Sequence, residues 1–207
     1  YKTPFDGSKE FFPPGTLPYS NATWISYSPR EMNIPPQSKQ EVSYVVNVPQ
    51  EAAGGYYGVL IVENVPDAAM LADAEAKTGL RLITRIGALM LFETDDSNKN
   101  PVIDNFHIEN GNLKFTISNK GNTIIKPSTV FYVMDEEGIV QDRGDLKDVF
   151  LPMGEKTDME LPLKANLPSG VSTYILTFDL KNDASMVREV DIQKNSDSDI
   201  KITAIRE

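Results

Sequence analysis

The sequence predicts an all-β protein made of two β-sandwich domains in tandem. Three observations carry that prediction. Apolar residues recur with a period of two over short segments, as they do on strands that bury one face. Turn chemistry (Asn-Gly, Gly-Gly and Pro-Pro pairs) returns at the spacing of small sandwiches. A polar, charged stretch ending in proline, residues 95–101, separates the two halves. The first domain is expected over residues 1–98 and the second over 99–194, with 195–207 a polar tail or an extra strand.

Taken in order, residues 1–23 hold Phe5, Phe11 and Phe12 among Pro4, Pro13, Pro14, Gly15 and Pro18. That density forbids a helix or a central strand, so an extended, edge-hugging segment is expected. Residues 24–29 read as a short strand headed by Trp24, a core residue or a contact between the first segment and the sandwich. Residues 34–38 form a proline-marked corner. Residues 41–48 alternate, with Val42, Tyr44, Val46 and Val48 on one face. Gly54 and Gly55 open a segment, 56–62, that is apolar on both faces, as a central strand is.

Residues 66–79 are alanine-rich, with proline near the start and glycine at the end; a short helix and a mobile excursion are both compatible with them. Residues 80–92 return to strand, and Gly87-Ala88 in the middle suggests a bulge or a close backbone approach. After the boundary, 102–108 is a strand and Asn110-Gly111 a two-residue hairpin turn. Leu113, Phe115 and Ile117 then alternate with Lys114, Thr116 and Ser118. Residues 119–122 turn the chain, 129–134 is a strand, and 135–138 turns it again. Further strands are expected near 139–142, 157–163, 172–180 and 186–192. A polar run over 194–199 precedes a last possible strand at 200–205.

Composition narrows the function classes. The chain has 207 residues, 40% of them hydrophobic, with a net charge of −10 and no basic cluster. Nucleic acid and anionic membrane surfaces both demand clustered Lys and Arg, so neither is an expected partner. Cysteine is absent, which removes thiol catalysis, thiolate metal sites and disulfides. No apolar run approaches the ~18 residues of a membrane span. Tyr1 in place of a start methionine suggests a processed or trimmed chain.

Chemical motifs are sparse. His107 is the sole histidine, so neither a catalytic triad nor a multi-histidine metal site can be built on it. No spacing singles out two of the thirty carboxylates as an acid/base pair. Gly54, Gly55 and Gly58 lack the lysine and the following helix of a phosphate loop. Arg143-Gly144-Asp145 is the tripeptide of integrin ligands, here in a place where a turn is expected. Residues 95–98 lack the glycine and terminal glutamate of a calcium loop. Asn21-Ala22-Thr23 matches a glycosylation acceptor, irrelevant if the source is bacterial. No catalytic residue, metal ligand or cofactor is expected.

One resemblance covers most of the chain. A strand leading into Ser28-Pro29, the Pro35-Pro36-Gln37-Ser38 corner, an alternating strand closed by Val48-Pro49, and Gly55-Tyr56-Tyr57-Gly58 opening the next strand resemble the N-terminal domain of periplasmic pilus chaperones and their immunoglobulin-like relatives. Ile83-Thr84-Arg85-Ile86 resembles that domain's last strand. Residues 102–192 resemble a second immunoglobulin-like domain of bacterial surface proteins, with 119–122 and 167–170 as matching turns. The resemblance implies two immunoglobulin-like sandwiches in a periplasmic or extracellular protein, exported by a bacterium. It also implies binding of a surface or pilus subunit by β-strand addition. Leu82, Thr84, Arg85, Ile86, Ala88 and Met90 are the residues it places on the strand-accepting edge. In pilus chaperones two basic residues hold the subunit's terminal carboxylate. Gly87 stands at one of those positions here, and Arg85 or Arg81 could substitute, although both read equally as a strand's solvated face. The expected function is that of a chaperone-like or assembly accessory protein without catalysis, the alternative being a binding or spacer module of a surface adhesin. The first domain has about four strands where a complete sandwich has about seven. The preferred expectation is that the native chain begins upstream of Tyr1, the other that a partner or the second domain completes the sheet.

Overall fold

In the computed structural model, residues 10–65, 83–163, 169–181, 185–196 and 199–207 are described, and they form twelve strands and one short 3-10 turn. The protein is all-β. The chain divides into two compact units, Glu10–Asp95 and Asp96–Glu207. The expected helix or excursion at 66–79, the leading residues 1–9 and the first half of the 167–170 turn lie outside the described residues.

The first unit consists of two antiparallel ribbons. Strand β1 (Ile25–Ser28) pairs with β2 (Ser43–Val46), and β3 (Gly55–Glu63) pairs with β4 (Arg85–Glu93). The Ser28-Pro29 peptide bond is cis. Trp24 ends the 3-10 turn Ala22–Trp24, and its ring lies 4.4 Å from Tyr56 and 5.9 Å, edge-on, from Phe92. Tyr19 stacks on Tyr57 at 4.8 Å, and both are buried. This aromatic cluster is small, and its neighbours are open. Three expectations change here. The alternating segment 41–48 pairs only over Ser43–Val46, and Tyr44 and Val48 on its expected inner face are exposed, because no described residue packs over them. Among the described residues segment 56–62 is no central strand: beyond β4 its one other neighbour there is a bridge between Tyr57 and Ser20, and Ile61 and Val62 are exposed. No bulge occurs at Gly87-Ala88. The register runs unbroken from Gly55↔Glu93 to Glu63↔Arg85, and Gly87 instead relieves crowding, since a Cβ there would lie 3.0 Å from Val59 Cγ1.

The second unit is a sandwich. Strands β5 (Pro101–Glu109), β6 (Asn112–Asn119) and β9 (Lys156–Pro162) form one sheet in the order β5-β6-β9. Strands β7 (Ser128–Met134), β8 (Val140–Asp145), β10 (Gly170–Asp179), β11 (Met186–Ser196) and β12 (Asp199–Arg206) form the other, in the order β12-β11-β10-β7-β8. Asn110 and Gly111 both take positive φ, 50° and 75°, which is the conformation a two-residue turn needs to match the twist of β5 and β6. Leu113, Phe115 and Ile117 from one sheet meet Tyr174, Leu176, Phe178, Val190 and Ile192 from the other in a single buried cluster. The Phe115 and Phe178 rings bridge the sheets edge-on at 5.8 Å. The immunoglobulin-like character read from the turns is therefore carried by this unit.

One further reading is corrected in the second unit. Arg143-Gly144-Asp145 is not a turn; it lies within β8, paired with Val130, Phe131 and Tyr132. Its glycine serves packing, because a Cβ at Gly144 would lie 2.9 Å from Phe131 Cε1. Residues 96–100 are hydrogen-bonded to the turn at 119–122. Asn98 N–H donates to Asn122 Oδ1 (2.6 Å), Asn122 Nδ2 donates to Asp96 O (3.2 Å), and Lys120 N–H donates to Asn100 O (2.8 Å). Beneath that turn Asn119 is fully buried. Its Nδ2 donates to Thr123 O (2.7 Å) and Leu151 O (3.0 Å), and its Oδ1 accepts from Gly121 N–H (3.0 Å). The C-terminal residues resolve as strand: β12 pairs with β11, and Arg206 Nη2 donates to Asp191 Oδ1 at 2.8 Å.

Candidate functional site

The β3–β4 ribbon is the candidate site, and its geometry follows from one side chain. Asn21 is buried, and its Nδ2 donates to the carbonyl of Met90 at 3.0 Å, reaching over Gly58. Only glycine permits that reach, because a Cβ at residue 58 would stand 2.5 Å from Asn21 Oδ1. On the opposite edge of β3, Tyr57 N–H donates to Tyr19 O (2.9 Å) and Asn21 N–H donates to Tyr57 O (3.4 Å). The main chain of Tyr57 thus faces away from β4, so Tyr57↔Leu91 is a non-hydrogen-bonded pair. Main-chain direction alternates along an antiparallel ladder. Phe92, Met90, Ala88 and Ile86 therefore turn their N–H and C=O groups toward β3. Leu91, Leu89, Gly87 and Arg85 turn theirs outward.

No strand among the described residues pairs with that outer edge of β4. The opposite edge of the ribbon is different. There, Phe12, Leu17, Ile25 and Tyr27 line a cleft of about 320 Å³ against Val59 and Ile61. Both faces near the open edge are apolar and exposed: Ile86 at 67% and Val62 at 50% on one, Leu91 at 44% and Leu89 at 39% on the other. An isolated two-stranded ribbon is marginal in water, and an exposed apolar edge is a template for another strand.

All but one of the residues expected from the sequence can be placed. Leu82 lies outside the described residues. Thr84 closes the ribbon's end: its N–H donates to Asn64 Oδ1 at 2.5 Å and its carbonyl accepts from Asn64 N–H at 3.2 Å. The Arg85 guanidinium is in an ion pair with Glu63, its cross-strand neighbour. Ile86, Ala88 and Met90 share a face with Val62, Leu60 and Gly58. Ile86 and Ala88 are exposed, and Met90 is half-buried. The residues whose main chain forms the edge, Gly87, Leu89 and Leu91, were not among those expected. Alternation assigns side chains to faces, but it cannot say which N–H groups are already taken.

A second depression, of about 280 Å³, lies on the β5-β6-β9 sheet and is lined by His107, Glu109, Lys114 and Asp158. Its polar groups have partners. His107 Nδ1 lies 2.8 Å from Asn105 O, Thr116 Oγ1 donates to Asp158 at 2.7 Å, and Glu109 is paired with Lys114. The Lys114 hydrogen bond, first among the causes, holds the Glu109 carboxyl below its usual range, and the same bond raises Lys114. Among the described residues no three His, Cys, Asp or Glu side chains cluster as metal ligands, and no helix is long and apolar enough to cross a membrane. No protein-family model matches the chain, and no curated protein matches it in sequence.

Proposed function

We propose that this chain is a non-enzymatic bacterial protein, exported to the periplasm or beyond, that binds another polypeptide by β-strand addition along β4. Its role on this reading is that of a chaperone-like or assembly accessory factor for surface structures. One observation carries the reading: among the described residues β4 is paired on one side only, with apolar side chains exposed on both its faces. An incoming strand would gain main-chain hydrogen bonds from Arg85, Gly87, Leu89 and Leu91. It would set its own side chains beside Ile86, Ala88 and Met90. The resemblance to pilus chaperones supplies the class of partner, a surface or pilus subunit. Capture of a terminal carboxylate is not part of the proposal. A spacer or binding module of a surface adhesin is the second reading, favoured by the continuous core of the second unit, which suits a rigid stalk.

Leu89→Pro tests the first reading. It removes an outward N–H and leaves the β3–β4 ladder its own hydrogen bonds, as proline at a sheet edge does. Nine-residue peptides of alternating apolar pattern should bind the wild-type chain and protect the amides of Gly87, Leu89 and Leu91 from exchange. Binding that is equally tight to Leu89→Pro would remove this edge from the function.

A further inference from the structure

Strand β4 reads Arg85-Ile86-Gly87-Ala88-Leu89-Met90-Leu91-Phe92-Glu93, and it is complementary to itself about Leu89. Laid antiparallel on a second β4, Arg85 falls opposite Glu93, Gly87 opposite Leu91, and Leu89 opposite Leu89. On the other face Ile86 meets Phe92 and Ala88 meets Met90. Each contact thus sets positive against negative charge, small against large, or apolar against apolar. The main-chain directions agree as well. Arg85, Gly87, Leu89 and Leu91 face outward, and this register pairs odd-numbered residues with odd-numbered ones, as hydrogen-bonded partners require. The even-numbered side chains then form the closer, non-hydrogen-bonded pairs, where alanine opposite methionine avoids a clash.

We propose that the strand added at β4 is, in the absence of another partner, β4 of a second copy of this chain, with a two-fold axis through Leu89. The proposal rests on the reading of β4 as a strand-accepting edge and names one occupant for it. Two ribbons joined this way make a continuous four-stranded sheet, β3-β4-β4-β3. Gly87, Leu89 and Leu91 of the two copies supply about six main-chain hydrogen bonds across the new junction. Other registers that keep outward groups facing each other, shifted to an axis at Gly87, Ala88 or Met90, lose the Arg85–Glu93 pairing. The guanidinium of Arg85 would sit between Glu63 of its own ribbon and Glu93 of the second copy, which suits its several donors. Isologous contacts of this kind are the commonest in soluble oligomers.

Charge reversal in two separate samples tests the proposal. Arg85→Glu alone sets Glu against Glu93, and Glu93→Arg alone sets Arg85 against Arg. Each variant should self-associate at least about tenfold more weakly than the wild-type chain in sedimentation equilibrium, because each contact occurs twice across the axis. An equimolar mixture should associate again, since one protomer then carries two acidic and the other two basic residues at these positions. Rescue by mixing also shows that both variants fold. Because the chain has no native cysteine, Leu89→Cys gives a single thiol on the axis, expected to be joined to its twin by a short bismaleimide, whereas Ile61→Cys is not. A wild-type monomer, variants that dimerise as tightly as wild type, a mixture that stays monomeric, or an uncrosslinked Leu89→Cys dimer would each overturn self-pairing. Strand acceptance is read separately, from the peptide-dependent protection of Gly87, Leu89 and Leu91. A monomeric chain that still shows that protection sinks only the self-pairing.

Discussion

Replacing Ile86 by lysine separates binding from stability. Fully burying an isoleucine side chain contributes roughly 1.5–3 kcal/mol. Ile86 keeps 67% of its surface exposed, so about 1–2 kcal/mol of that contribution is still available to a strand laid beside it. Its main chain faces β3, which makes it a non-hydrogen-bonded partner of the added strand, the position where side chains approach most closely. Ile86→Lys forfeits this contribution and holds an ammonium group that must stay hydrated. Peptide affinity should therefore fall about 10- to 30-fold. Folding stability should change by no more than about 0.5 kcal/mol, as for most surface substitutions. Fluorescence anisotropy with a labelled alternating peptide measures the first quantity, and urea unfolding measures the second. Leu113→Ala is the contrast: with no exposed surface to offer a partner, it should cost about 3–5 kcal/mol in stability. Should Ile86→Lys bind within threefold of wild type, or unfold as readily as Leu113→Ala, the argument from exposure is wrong.

Two further outcomes concern the second unit. Asn119→Ala removes three buried hydrogen bonds at about 1 kcal/mol each and should lower stability by about 3 kcal/mol in urea unfolding. Asn119→Asp should be no better, because its carboxylate would face the carbonyl oxygens of Thr123 and Leu151; a near-silent Asp variant would refute the assigned network. Asp191 is held below the usual carboxylate range, first by its hydrogen bond to Arg206 and then by Thr173. A depressed folded value means that the stabilisation is present above the unfolded carboxylate pKa and is lost as pH falls through the folded one. The unfolding temperature of the wild-type chain should thus drop more steeply on acidification than that of Asp191→Asn, and parallel curves would contradict the assignment.

Similar patterns met different fates in the two units. Leu113, Phe115 and Ile117 alternate and are buried, because the five-stranded sheet supplies a second layer. Tyr44 and Val48 belong to an equally regular alternation and are exposed, because no described layer covers them. Period two reports that a strand has two unlike faces; it does not report whether anything packs on either. The tripeptide Arg143-Gly144-Asp145 misleads for a related reason. Its glycine accommodates the Phe131 ring from the neighbouring strand, a demand made by a residue thirteen positions earlier in the chain.

The amino-acid sequence alone was enough to establish the all-β class, the hairpin at Asn110-Gly111 and the apolar face of β4, since each depends on local conformational preference and side-chain alternation. Tertiary structure decided which edge of the β3–β4 ribbon stays open. That outcome turns on Tyr19 and Asn21 occupying the main chain of Tyr57, and on Asn21 reaching Met90 across Gly58. Hydrogen-bond direction along a strand is a property of the pair rather than of the strand, so it exists only once the neighbours are in place.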